Sequence, residues 1–104
     1  MNALGALADP TRRRIVELLA DGERSAGEIA AQFRTSRPGI SRHLRVLREH
    51  GLVQAREDGR RRLYALDPAP LAELDDWLGR YRAFWTNRLD ALDTEIRRRR
   101  RTPA

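Results

Sequence analysis

The sequence predicts a mainly α chain carrying one small two-stranded β-wing, and three observations lead there. Apolar residues recur at helical spacing through most of the chain. Helix-starting residues punctuate it at Asp9-Pro10, Ser25 and Ser36. A single Asp58-Gly59 pair lies between two runs of strand-forming residues, the strongest short signal for a tight hairpin.

The elements follow in order. Residues 2–8 make a short helix. Asp9 then caps a second helix with Pro10 at its first position, where the missing N–H costs nothing. That helix carries Ile15, Val16, Leu18 and Leu19 and stops at Asp21-Gly22. Ser25 caps a third helix, expected over 26–33, with Ile29, Ala30 and Phe33 on one side. After a break at Arg34-Thr35-Ser36 a fourth helix spans 37–50, with Pro38 in its first turn and Gly51 as its stop. Ile40, Leu44 and Leu47 mark its buried stripe.

The hairpin strands are expected over 53–57 and 60–66, with Asp58-Gly59 as the turn and Val53 opposite Tyr64. Asp67-Pro68 opens a last helix that can run from Pro70 to about Arg98, roughly 40 Å at 1.5 Å per residue. Its apolar positions are Leu71, Leu74, Leu78, Tyr81, Trp85, Leu89, Leu92 and Ile96. Four helices, a hairpin and a final helix, with a tight break before the fourth, make a winged helix-turn-helix. Residues 1–96 read as one such domain including its dimerisation helices, and 97–104 as a frayed, arginine-rich tail.

Composition narrows the function classes. The chain has 104 residues, enough for one domain, and a formal charge of +6 that suits a polyanion. Hydrophobic residues make up 40% and charged ones 35%, so the core is thin and a partner subunit is expected to cover surplus apolar surface. All 21 basic residues are Arg. Base composition of the genome accounts for this at least as well as phosphate recognition by the guanidinium fork does. There is no Cys, hence no disulfide or thiolate site, and no signal-like or membrane-spanning run, so a cytoplasmic protein is expected. No phosphate-cradling glycine loop, Cys nucleophile or metal constellation is present, which argues against an enzyme.

A DNA-reading helix packs one face and offers another to base edges. Projected round the fourth helix, Ile40, Leu44 and Leu47 turn inward, and Pro38, Ser41, Arg42 and Arg45 turn outward. Arg can bridge both acceptors of guanine, Ser can contact phosphate or base, and Gly39 leaves room for close backbone approach. The helix start, with Ser36 and Arg37, favours phosphate. On an isolated helix these arginines would only solvate a face; the preceding helix, the capped break and the hairpin favour DNA. At the hairpin, Arg56, Arg60, Arg61 and Arg62 surround the tip. Arg60 and Arg61 are candidates for groove contact, against the alternative of edge protection.

The stretch from Ser36 to Val53, with Ser41-Arg42-His43-Leu44 at its heart, resembles the recognition helix of the ArsR-type bacterial regulators. Leu7-Ala8-Asp9-Pro10-Thr11-Arg12-Arg13-Arg14-Ile15 resembles that family's opening motif, and Asp58-Gly59-Arg60 its wing. The resemblance covers nearly the whole chain, from about Leu4 to Ile96. It implies a homodimeric winged-helix repressor on an inverted-repeat operator in double-stranded DNA, with His43 in a packing or phosphate-contact role. One departure is Arg34, where the family usually has Gly; a left-handed backbone there would cost Arg about 1 kcal/mol.

Metal-sensing relatives use Cys pairs, or Asp, His, Glu and His along the last helix. This chain has no Cys, and His43 and His50 both lie on the fourth helix, so no metal and no cofactor is expected. Trp77, Tyr81, Phe84 and Trp85 have the chemistry of a pocket for a small organic effector, but aromatic residues at helical spacing more often build a core or interface. An effector is left open and not indicated. The phrase from Tyr81 to Leu92 resembles the family's metal-independent branch with an aromatic last helix. The expected dimer contact comprises Leu4, Leu7, Leu78, Tyr81, Trp85, Leu89 and Leu92. The rival reading is a winged-helix docking module for another protein, one that never touches DNA.

Overall fold

Each of the three capped helices starts where a side-chain oxygen takes up its first free N–H groups. In the computed structural model, which describes residues 2–101, α1 spans Asn2–Ala6 and α2 spans Pro10–Ala20. Asp9 Oδ1 accepts from the N–H groups of Thr11 at 2.8 Å and Arg12 at 3.1 Å. These bonds to the ionised form, that from Arg12 foremost, hold the Asp9 carboxyl below its ordinary value. At the other junction Arg12 Nε donates to the Ala6 carbonyl at 2.6 Å, so α2 also closes the end of α1.

A two-residue strand, β1 (Arg24–Ser25), leads into α3 (Ala26–Ala30). Ser25 and Glu28 form a reciprocal capping box, each side chain accepting from the other's backbone N–H at 3.1 Å. The helix ends at Ala30, short of the expected Phe33. The chain tightens there into single turns, with Gln32 N–H on the Ile29 carbonyl and Phe33 N–H on that of Ala30.

The break to α4 (Arg37–Glu49) needs no left-handed residue: among the described residues positive φ occurs only at glycines, so the cost foreseen for Arg34 does not arise. Ser36 caps α4, its Oγ accepting from Gly39 N–H at 3.3 Å. At the far end Gly51, with φ of 74°, reverses the chain. Gly51 N–H then reaches the Arg48 carbonyl and Leu52 N–H the Leu47 carbonyl, both at 3.0 Å, a Schellman motif that buries Leu52.

The wing is β2 (Val53–Asp58) and β3 (Arg61–Leu66), and β1 adds a third antiparallel strand in the order β1-β3-β2. The expected two-stranded ribbon is thus three-stranded. Its register also differs from the expectation: Val53 pairs with Leu66, Ala55 with Tyr64 and Asp58 with Arg61. The central turn residues are Gly59 and Arg60. Gly59 takes φ of 65° while Arg60 stays negative, the II′ pattern, which moves the pairing two residues from one centred on Asp58-Gly59.

One core joins these elements. Ile15 and Leu19 of α2, Ile29 of α3 and Ile40, Leu44 and Leu47 of α4 pack with Leu52, Val53 and Tyr64, and Ala3 and Ala6 of α1 close it.

The last helix, α5 (Pro68–Arg101), begins where Asp67 Oδ1 accepts from Ala69 N–H at 3.0 Å. The chain divides into two units, Met1–Leu74 and Asp75–Ala104, so the boundary falls within α5. The second unit is, among the described residues, helix alone. Along it Asp93 pairs with Arg97 at 3.0 Å and Asp75 with Arg82 at 2.6 Å. The Trp77 and Tyr81 rings lie 5.2 Å apart, and the Arg88 guanidinium sits 4.4 Å over the Phe84 ring. The run from Arg97 to Arg101 is helical, and 102–104 lie outside the described residues.

Candidate nucleic-acid interface

The buried stripe of α4 fixes which of its residues remain outside. With Ile40, Leu44 and Leu47 in the core, Ser41, Arg42, Arg45 and Arg48 are all exposed. They form one wall of an open cleft with Pro38; Arg62 and Tyr64 of β3 form the other. No carboxylate lines it. Arg42 has no ion pair among the described residues, and Arg45 reaches Glu49 only at 4.0 Å. An exposed pair at that distance contributes little, so the cleft is strongly cationic.

The candidate residues divide. Ser41, Arg42 and Arg45 come together in the cleft. Ser36 and Arg37 lie exposed at the start of α4, and Arg37 borders a smaller hollow with Ala26, Gly27 and Ala30 of α3. Gly39 has a reason internal to the turn as well: a Cβ there would meet Thr35 Cγ2 at 2.7 Å and Ser36 Oγ at 3.3 Å. His43 is half-buried and faces α2, its Nδ1 lying 3.4 Å from Arg12 Nη1. Arg60 is exposed in the wing turn. Arg61 lies on the other face of β3 from Arg62 and is held by Glu28 at 2.7 Å.

Sequence reasoning missed Arg48 and Arg62 as cleft residues. The signals were there: Arg48 stands three residues after Arg45 on a helix, and Arg62 two before Tyr64 on a strand.

An amphipathic helix behind a capped break, with its arginines facing a three-stranded wing, has close counterparts among known proteins. A helix-turn-helix domain profile matches residues 7–54. HTH-type transcriptional regulator Rv2034 of Mycobacterium tuberculosis is 51% identical over 81% of this chain and 76% of its own. The transcriptional repressor SdpR of Bacillus subtilis is 36% identical over 74% of this chain and 86% of its own. The crystal structure of a possible transcriptional regulator for arsenical resistance superposes with TM-score 0.73 at 47% identity, covering 91% of this chain and 96% of that one. An ArsR family transcriptional regulator gives TM-score 0.75 at 29% identity over 82% and 93% of the two chains. The chain belongs to the ArsR-type winged helix-turn-helix transcriptional regulators.

As a member of that family it is a DNA-binding transcriptional regulator. The relatives are regulators, not enzymes. No helix of this regulator, among the described residues, is long and apolar enough to cross a membrane. Among the described residues no three His, Cys, Asp or Glu side chains gather as a metal-binding group. Of its expected dimer residues, Tyr81, Trp85, Leu89, Leu92 and Leu4 are exposed, Leu78 is half-buried, and Leu7 is half-buried against the core.

Proposed function

We propose that the chain is a cytoplasmic homodimeric repressor that binds an inverted-repeat operator in duplex DNA, and that binding DNA, not catalysis, is its activity. The observation that carries this is the pair of arginines, Arg42 and Arg45, held outward by a fully packed helix in a cleft without carboxylates. The Arg42 guanidinium, which has no ion pair among the described residues, can form two bonds to guanine at the cost of only its own desolvation, while Arg45 beside it adds positive charge. Ser41 beside them adds a hydroxyl for phosphate or base.

The dimer is supported by the apolar stripe of α5, where Tyr81, Trp85, Leu89 and Leu92 stand exposed. Pairing with a second copy, with Leu4, Leu7 and Leu78 contributing, buries that stripe symmetrically. A two-fold pair then offers its two α4 helices to major-groove faces about 34–36 Å apart. Regulation without metal is supported by what the two histidines already do. His43 lies against Arg12, and the His50 ring contacts the Val46 carbonyl at 2.8 Å.

Gel-shift titration with DNA from the protein's own promoter, with and without divalent metal ions, tests the reading. The parent protein is expected to prefer a symmetric site whatever the metal. Arg42→Ala is expected to lose about 1–3 kcal/mol of specific affinity. Unchanged sequence preference in that variant would overturn the assignment of Arg42, and release of DNA by metal would overturn metal independence.

A further inference from the structure

The wing arginines differ in what they touch, and the difference follows from strand alternation. On β3, Arg62 and Tyr64 share the face that turns to α4, while Arg61 and Leu63 share the other. Tyr64 is buried, and the Arg62 guanidinium carbon lies 5.8 Å from the centroid of its ring. The ring gives Arg62 a fixed platform beside the cleft. Across the cleft, Arg45 and Arg48 project from successive turns of α4. Neither Arg48 nor Arg62 has a carboxylate partner among the described residues. With Arg42, four like charges line this one open cleft and repel one another, and an anion between them removes that cost.

On the other face both arginines are already answered. Arg56 makes two bonds to the Glu23 carboxylate, at 2.9 and 2.7 Å, and Arg61 bonds Glu28 at 2.7 Å. The bond from Arg56 holds Glu23 below its ordinary value, and the Ser25 N–H, foremost, does the same for Glu28. A phosphate approaching this face would have to displace a carboxylate and then sit beside it.

We propose that Arg45, Arg48 and Arg62 form a seat for one backbone phosphodiester of duplex DNA, whereas Arg56 and Arg61 serve the protein's own carboxylates and bind none. The wing therefore grips DNA through one face only. The seat supplies affinity without reading sequence, which separates its role from the base reading assigned to Arg42 in the same cleft. This rests on the DNA-binding reading above.

Salt dependence tests it, because each phosphate neutralised adds about 0.9 to the slope of log affinity against log salt. Binding to the promoter site and to a random duplex is measured by fluorescence anisotropy over a series of salt concentrations. Arg62→Ala and Arg48→Ala are each expected to lower the slope, and the two combined to lower it by about 0.9 per protomer, the share of one phosphate, on both duplexes, leaving the preference for the promoter site intact. Arg56→Ala is expected to leave the slope unchanged. An unaltered slope in both Arg62→Ala and Arg48→Ala overturns the proposal while the promoter preference of the parent protein still stands. So does a fall in slope for Arg56→Ala equal to theirs. Failure of the parent protein to bind either duplex would instead remove the DNA-binding reading itself, and the seat with it.

Discussion

Helices α4 and α5 carry the same kind of apolar stripe and meet opposite fates. In α4, Ile40, Leu44 and Leu47 are 2%, 1% and 0% exposed; in α5, Trp85, Leu89 and Leu92 are 37%, 60% and 56% exposed. Apolar residues recur at helical spacing in both, more sharply segregated in α4. What differs is the surroundings: α4 has α2, α3 and β2 against it, whereas the second unit is helix alone among the described residues. Spacing thus declares that a face will be covered, and only the fold declares by what. A helix covered from within can devote its other face to a ligand, and a helix left uncovered points to a partner.

The largest expected effect deepens that contrast from the packed side. Leu47→Ala removes a fully buried side chain and should destabilise the protein by about 2–5 kcal/mol in urea unfolding, because its neighbours close the cavity only partly. A cost below about 1 kcal/mol would show that the stripe of α4 does not anchor the core. On the exposed side, Leu89→Asp combined with Leu92→Asp should weaken self-association by on the order of 100-fold, about 2.7 kcal/mol, read by sedimentation velocity across a dilution series. If the parent protein sediments as a monomer, or the double variant associates as well as the parent, α5 is not the dimer contact. A smaller change lies at the start of α4: Ser36→Ala loses the bond to Gly39 N–H and should cost about 1 kcal/mol in the same unfolding experiment. Leu47→Ala and Ser36→Ala together ask whether α4 is held by its face or by its end.

Much of the fold was legible because its signals are local. Asp9-Pro10, Ser25, Ser36 and Gly51 each act within one turn of chain, and each begins or ends a helix where the residue type predicts. The failures were non-local or subtle. Strand β1 is two residues long, has no alternation to detect, and exists because β3 lies beside it. The wing register slipped because Asp-Gly signals a turn without saying which central position the glycine takes; here Gly59 comes first and Arg60 second. The arginines of the wing are chemically identical, and the one signal that separates Arg62 from Arg61, its place two residues before Tyr64, does not say which face the carboxylates occupy. The acids that decide it, Glu23 and Glu28, stand 33 residues before Arg56 and Arg61. On α4 the outward face was readable from the inward one, which is why Ser41, Arg42 and Arg45 were found.

Acid sharpens the comparison last and most gently, since it acts on the packed unit through Asp9. The Asp9 carboxyl caps α2 and is held below the ordinary aspartate value of about 3.9, chiefly by the Arg12 N–H, with Thr11 N–H and the nearby His43 and Arg12 charges adding to it and burial opposing. A carboxyl whose folded value is depressed contributes stability that is fully present above its unfolded value and is lost as pH falls through the folded one. The contribution should therefore be intact at pH 7 and vanish in the acid range below about 4. Asp9→Asn keeps an oxygen acceptor for both N–H groups and removes the charge, so at neutral pH it should cost only a few tenths of a kcal/mol. Its thermal midpoint should lie slightly below that of the parent at pH 7 and meet it at low pH. If the two midpoints stay equally far apart from pH 7 to pH 3, the charge of Asp9 does no work in the cap, and the end of α2 is held by hydrogen-bond geometry alone.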